Sequence, residues 1–250
     1  MNKKINIWGV DICPFEKNKF IEIIDLHLKS LPRKPLHITG VNPETLAHAS
    51  KNRELYNAIK SSDLINVDNY FVFLVLKILG KKIPERVATP DLFEEMLRLS
   101  EKNNYTIYIL GSKEDVLLKA IENIRSEYPA IKIAGFRNGY YSREQEEDVV
   151  WDIKSKKVDM LFVAMSSPYK EMFIDRYKNN LDVQVLLGVG GAIDVKAGIV
   201  KRAPLFIREM GLEGLHRSLQ NPMNYGKRYF TLYPLFLRLV LSDLFSKNKK

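Results

Sequence analysis

The stretch from Gly188 to Pro204, GVGGAIDVKAGIVKRAP, sets three closely spaced glycines, the carboxylate of Asp194 and the basic pair Lys201-Arg202 directly after the apolar run Val183 to Leu187. Gly190 and Gly191 would let backbone N–H groups approach an anion closely. Asp194 could accept hydrogen bonds from a ribose or a base, and the two cations could answer phosphate charge. That order suits a phosphate-bearing ligand at the carboxyl end of a strand. A glycine turn between two core elements would explain GVGG equally well, so the rest of the chain has to decide.

Four further segments place polar residues just after short apolar runs. Gly40 and Asn42 follow HIT in TGVNPE, Asp68 follows LINV, Gly111-Ser112 follows YIL, and SSPYKE, with Lys170 and Glu171, follows LFVAM. Each could be only a helix cap, because Asn, Asp and Ser are preferred at helix N-termini. Their convergence on one edge of one sheet would favour a binding site.

The elements that must position these residues alternate in type. Short β-branched runs are expected as strands at Ile5 to Val10, Leu36 to Thr39, Leu64 to Val67, Thr106 to Leu110, Ile131 to Ala134, Met160 to Met165 and Val183 to Leu187. Amphipathic stretches between them are expected as helices at Phe15 to Leu31, Glu44 to Ile59, Phe71 to Leu79, Asp91 to Lys102, Glu114 to Tyr128, Arg143 to Ser155 and Tyr169 to Lys178. This alternation predicts an α/β fold, a mostly parallel sheet with helices on both faces, in which ligands bind outside the carboxyl ends of the strands.

Composition narrows the function classes. The single cysteine, Cys13, excludes an internal disulfide and a thiolate metal cluster, and the four histidines lack metal-ligand spacing, so no metal site is expected. The N-terminal apolar run is too short for a signal peptide and no stretch approaches a membrane span, which makes cytoplasmic residence the expectation. Net charge is +9, of which +7 falls in residues 201–250. A basic C-terminal fifth implies an anionic partner: a membrane surface, a nucleic acid or a phosphorylated ligand. No GxxxxGK[ST] loop is present, nor a GxGxxG opening the first βα unit, which disfavours P-loop nucleotidases and standard dinucleotide oxidoreductases. The absence of Asp-x-Asp, the usual metal clamp for a nucleotide diphosphate, points instead to neutralisation by Arg, Lys and backbone N–H groups.

Taken together, GVNPE (Gly40 to Glu44), Asp68, LGKKIPERVATPDL (Leu79 to Leu92), YILGS, PAIKIAGFRNGYYS (Pro129 to Ser142), SSPYKEMFI, the GVGG-to-RAP block and GLEGLHRSLQNPMNYGKRY (Gly211 to Tyr229) resemble the WecG/TagA/CpsF family of bacterial glycosyltransferases over nearly the whole chain. The resemblance implies a Rossmann-like, non-standard glycosyltransferase fold that moves a sugar from a UDP-sugar to a polyprenyl-diphosphate-linked saccharide, with inversion and without a metal cofactor, in cell-surface polysaccharide synthesis. It places the family's catalytic base on Asp68, an active-site asparagine on Asn42 and a phosphate-stabilising arginine on Arg86. The UDP would be held around Gly111, Gly190, Gly191 and Asp194, beside Glu171. Residues 1–200 would form the UDP-sugar-binding catalytic domain, and 201–250 an appendage that completes the site through Arg208 and Arg217 and docks on the inner membrane face. For that docking the chain itself offers the apolar run Tyr229 to Phe245 followed by KNKK. A core-packing or dimer helix is the alternative there, and a homo-oligomer is left open.

The chain also departs from the family pattern. Asn69 follows the aspartate where glycine is usual, Lys170 replaces a common glutamine, and Gly214 replaces an aromatic. An ammonium at Lys170 would favour a carboxylated sugar such as a uronic acid, besides an N-acetylmannosamine-type sugar or glucose, although Lys170 could equally hold phosphate. Two other classes compete. One is a nucleic-acid-binding protein using Tyr225, Arg228, Tyr229 and Phe230, disfavoured by the apolar helix beside them. The other is a non-catalytic UDP-sugar-binding relative, motivated by the changes beside Asp68.

Overall fold

The structure is a computed structural model. It describes residues 4–204, 207, 208, 213, 216 and 227–247, with the side chains of 231–242 and 244 in the last stretch. Six strands form one all-parallel sheet: β3 (Leu36–Val41), β4 (Leu64–Val67), β5 (Thr106–Gly111), β6 (Lys132–Arg137), β7 (Met160–Ala164) and β8 (Val185–Gly188), in the spatial order β4-β3-β8-β7-β5-β6. Strands β3, β4, β7 and β8 are buried along their whole length; β7 and β8 read as continuous apolar runs, while β3 and β4 also bury the polar His37, Thr39 and Asn66.

Helices cover both faces. Successive residues of a strand point to opposite sides, and β7 shows the consequence: Met160, Phe162 and Ala164 enter one core while Leu161 and Val163 enter another. The first core is closed by α1 (Lys17–Leu28), α5 (Thr89–Asn103), α6 (Glu114–Glu127) and the short α9 (Ala192–Lys196). On the other face α7 (Glu146–Ser155) and α8 (Tyr169–Tyr177) cover one half of the sheet. The other half is covered by α2 (Pro43–Ala49), α3 (Arg53–Lys60), α4 (Tyr70–Ile78) and the C-terminal α10 (Lys227–Lys247).

Two sequence expectations are corrected. The run Ile5 to Val10 is not a strand of the main sheet. It folds back at Trp8-Gly9 into a separate antiparallel hairpin of β1 (Ile5–Ile7) and β2 (Val10–Ile12), with Ile5 opposite Ile12. Trp8 and Gly9 both take positive φ, 51° and 76°. Glycine adopts this readily; Trp8 is held there with its ring edge-on to Phe236 at 5.1 Å. The expected single helix Glu44 to Ile59 is two, α2 and α3, because the Asn52 side chain accepts from Leu55 N–H at 3.1 Å and starts a new helix.

Helix α10 contributes Phe236 and Val240 to the same core as Val41, Ile65 and Val72. Its Leu237, Leu241 and Leu244, spaced i, i+4, i+7, face solvent. One side of this helix is therefore core and another is exposed. Among the described residues no helix is long and apolar enough to cross a membrane.

Candidate active site

Crossovers leave β5 toward β6 in one direction and β7 toward β8 in the other, so a crevice opens at the carboxyl ends of the strands where the direction reverses. There the structure has a cleft of about 1100 Å³, and most of the polar residues singled out from the sequence line it: Asn42, Asp68, Lys170, Gly190, Gly191 and Asp194.

One wall comes from the ends of β3 and β4. Asp68 follows β4, its backbone N–H donating to the Val41 carbonyl at 3.0 Å. Its Oδ1 accepts from the Thr89 backbone N–H at 2.6 Å, which fixes the carboxylate against the first turn of α5. Gly40 makes this approach possible, since a Cβ there would lie 2.3 Å from Thr89 Oγ1 and 3.2 Å from Asp68 Cβ. Asn42 caps α2, its Oδ1 accepting from Thr45 N–H at 2.9 Å and Thr45 O–H at 3.1 Å. Capping and site readings thus coincide, and the amide NH₂ is the part of Asn42 left to meet a ligand.

The opposite wall is built from the turns after β7 and β8. Lys170 lies over the glycine turn, because a Cβ on Gly188 would come within 3.0 Å of its Cδ. Its ammonium pairs with Glu171, which is 1% exposed, so the extra cation is neutralised locally. Glu171 Oε2 and Ser167 Oγ are buried without a hydrogen-bond partner. Gly190 N–H donates to the Val163 carbonyl at 3.2 Å, and the Asp194 carbonyl accepts from Ile199 and Val200 N–H.

Other expected residues sit outside the cleft lining. Gly111 packs on β7: at φ 131°, a Cβ would be 2.4 Å from the Ala164 carbonyl carbon, and it is the next residue, Ser112, that reaches the cleft. Arg86 is beside Asp68 on its backbone side, with Nη1 donating to the Asp68 carbonyl at 3.3 Å and 3.7 Å from Glu213. Arg208 pairs with Asp91 at 3.3 Å, and Asp91 also accepts from Arg202 at 2.6 Å. Burial would raise the Asp91 carboxyl, but the Arg202 hydrogen bond and the charges of Arg202, Arg208 and Arg86 hold it below the usual carboxylate range. Arg202 Nε lies 3.7 Å from Glu213, so Arg86, Glu213, Arg202, Asp91 and Arg208 form one chain of charges tying the C-terminal region to α5. Arg217, Gly214, Tyr225 and the side chains of Arg228, Tyr229 and Phe230 lie outside the described residues.

Sequence reasoning did not single out the cations Lys113, Arg143 and Arg176 or the aromatics Tyr140 and Tyr169, all of which line the cleft. Arg176 is engaged by Glu54 at 3.0 Å and Glu146 at 3.2 Å. Lys113, directly after Gly111-Ser112, was legible from its place at a strand end; Arg143 follows a capping-box serine, Ser142, in a 3₁₀ turn. Among the described residues no three His, Cys, Asp or Glu side chains are grouped to hold a metal ion. A carboxylate fixed by a backbone N–H on one wall, facing a glycine turn and cations across a cleft, can accept a proton beside a bound diphosphate.

Comparison with known proteins gives the family. The chain resembles the N-acetylglucosaminyldiphosphoundecaprenol N-acetyl-beta-D-mannosaminyltransferase of Bacillus subtilis (strain 168), 35% identical over 85% of this chain and 81% of that protein. Proteins of the same name are 33% identical in Bacillus spizizenii, over 83% and 79% of the two chains, and 29% identical in Staphylococcus aureus (strain MW2), over 90% and 87%. The family model for the glycosyl transferase WecG/TagA/CpsF family matches residues 5–250, and the chain belongs to that family.

Proposed function

We propose that this protein is an inverting glycosyltransferase that moves an N-acetylmannosamine-type sugar from a UDP-sugar to a polyprenyl-diphosphate-linked saccharide, without a metal, at the inner face of the membrane. The observation that carries this reading is the meeting of Asp68 and Asn42 with Lys170, Gly190, Gly191 and Asp194 across one cleft. The acceptor hydroxyl oxygen attacks the anomeric carbon from the Asp68 side, and the bond from that carbon to the UDP oxygen breaks on the other. UDP leaves with the bonding electrons while Asp68 takes the hydroxyl proton. Inversion needs only this one carboxylate.

Lys113, Arg143 and the Gly191 N–H supply the positive potential for the diphosphate, the Gly190 N–H expected for that role being committed to the Val163 carbonyl instead, and Asp194 contacts the ribose or the base. Arg86 acts at one remove, holding the carbonyl of the residue that carries the base. Pairing with Glu171 removes the charge argument for a uronic acid, and the names of the relatives favour an N-acetylated hexosamine. The test is a screen of UDP-sugars for UDP release with a lipid-diphosphate-linked N-acetylglucosamine acceptor. Release with UDP-N-acetylmannosamine above UDP-glucose and UDP-uronic acids is expected; release with no donor, while UDP still binds, would make the protein a non-catalytic relative.

A further inference from the structure

Helix α4 begins at the proposed base. Asp68 is followed by Asn69, whose side chain accepts from Phe71 N–H at 2.8 Å and starts the helix, and α4 then runs from Tyr70 to Ile78. Its inner side, Val72, Val75 and Leu76, is core, yet Leu74 is 40% and Ile78 75% exposed. These two apolar residues, one turn apart, belong to none of the core clusters among the described residues. Lys77 is exposed beside them, its ammonium 4.7 Å from the Phe73 ring centre, and the segment continues into Lys81 and Lys82. No acid occurs between Tyr70 and Lys82. Phe71 packs against both Tyr233 at 5.2 Å and Phe236 at 5.9 Å, so the first turn of α4 touches α10, whose Leu237, Leu241 and Leu244 are also exposed.

We propose that α4 is itself a membrane-contacting element, presenting Leu74 and Ile78 among Lys77, Lys81 and Lys82 to an anionic bilayer so that a lipid-anchored acceptor is delivered to Asp68 at the start of the helix. Exposed aliphatic residues flanked only by lysines match the acyl boundary and the anionic headgroups of such a surface, and match neither solvent nor a basic partner. At 1.5 Å per residue the helix is about 12 Å from Tyr70 to Ile78, short enough for a diphosphate near the headgroups to hold its saccharide at the cleft. The inference rests on the proposed function in one respect, that the acceptor is lipid-linked.

The full-length protein is tested by co-sedimentation with phosphatidylcholine vesicles with and without phosphatidylglycerol, at low salt, as wild type, Leu74→Ser/Ile78→Ser, and Lys77→Gln/Lys81→Gln/Lys82→Gln. Removing three surface lysines should weaken binding to the anionic vesicles by roughly 100-fold at low salt, with the difference shrinking as salt rises. The apolar pair should weaken binding at every salt concentration. Both variants should keep wild-type melting temperatures and wild-type UDP release with a short-chain acceptor, while the apparent KM for a long-chain acceptor rises. Unchanged sedimentation of both variants overturns the proposal, as does unchanged sedimentation with a shift in oligomeric state, which would make the face a self-association surface. Vesicle binding does not depend on turnover, so wild-type protein that sediments through α4 but releases no UDP would refute the glycosyltransferase reading alone.

Discussion

Replacing Asp68 by Asn separates the chemistry of the carboxylate from its structural duty. Oδ1 accepts the Thr89 N–H at 2.6 Å, and an asparagine oxygen can accept the same bond. A bond to a charged acceptor contributes about 1.5–3 kcal/mol and its neutral counterpart about 0.5–1.5, so the substitution costs stability of about 1 kcal/mol. In a chain of this size that lowers Tm by about 2–4 °C. The amide cannot take a proton, and a general base contributes about 10²- to 10⁴-fold, equivalent to about 2.7–5.4 kcal/mol of barrier. Activity should therefore fall far more than stability. The assay is UDP release under saturating donor and acceptor, beside calorimetric titration with UDP and a thermal melt. Asp68→Ala is the companion variant: it should be as inactive, but less stable than Asp68→Asn because it abandons the Thr89 N–H. Asp68→Asn that keeps more than about a third of wild-type turnover, a threshold well inside the range for a general base, would refute the assignment.

Four further outcomes are expected. Gly111→Ala should destabilise by about 3 kcal/mol or more, combining a backbone clash with a φ that L-residues avoid, and a urea midpoint equal to wild type would contradict the packing described for β5 and β7. His37, buried against Thr39 and Ser62, is pushed by burial from 6.5 down to about 3. The unfolded chain binds its proton first, so the stability it contributes is complete above pH 6.5 and is lost toward pH 3 by up to about 1.4 kcal/mol per pH unit. Denaturant titrations at pH 7, 5.5 and 4.5 should give His37→Gln a visibly shallower decline, and parallel declines would sink the account. Transfer should persist in excess EDTA, while loss restored by Mg²⁺ would replace the cations at the cleft with a metal clamp. Phe236→Ala should cost about 3–5 kcal/mol as a core truncation, whereas Leu241→Ser should stay within about 0.5 kcal/mol while lowering sedimentation with anionic vesicles; the reverse order would misplace the two sides of α10.

The parallel sheet was legible because its strands are short, largely apolar and β-branched runs bounded by Gly, Asn, Asp and Ser, and six of the seven expected strands occur where the composition changes. The first strand misled because Ile5 to Val10 is apolar enough for a strand, while its turn depends on Phe236, more than 220 residues away. The break between α2 and α3 was visible in Asn52 as a cap but was hidden by the helical spacing on either side. In the candidate site, residues at strand ends were recoverable one by one. Nothing local to PERV shows that Arg86 meets Glu213, or that Asp91 gathers Arg202 and Arg208. Lys170 and Glu171 are adjacent in sequence, but only the fold shows that the two side chains turn toward each other so that the cation is balanced by the neighbouring carboxylate.

The strand order carries a consequence for biosynthesis. Strand β8 lies between β3 and β7, pairing Leu36 with Val185 on one side and Met160 with Val185 on the other, so it is the seam joining the two halves of the sheet. The wall with Asp68 belongs to one half and the wall with Lys170 to the other. Until residue 188 has left the ribosome these halves share no ladder, and the cleft has no floor. The long sequence separation of the β3–β8 pairing also makes it an entropically costly closure that comes late in folding. A nascent chain can thus finish α1 to α8 and both partial sheets while the two walls of the cleft remain unjoined, and they meet only when these four residues insert.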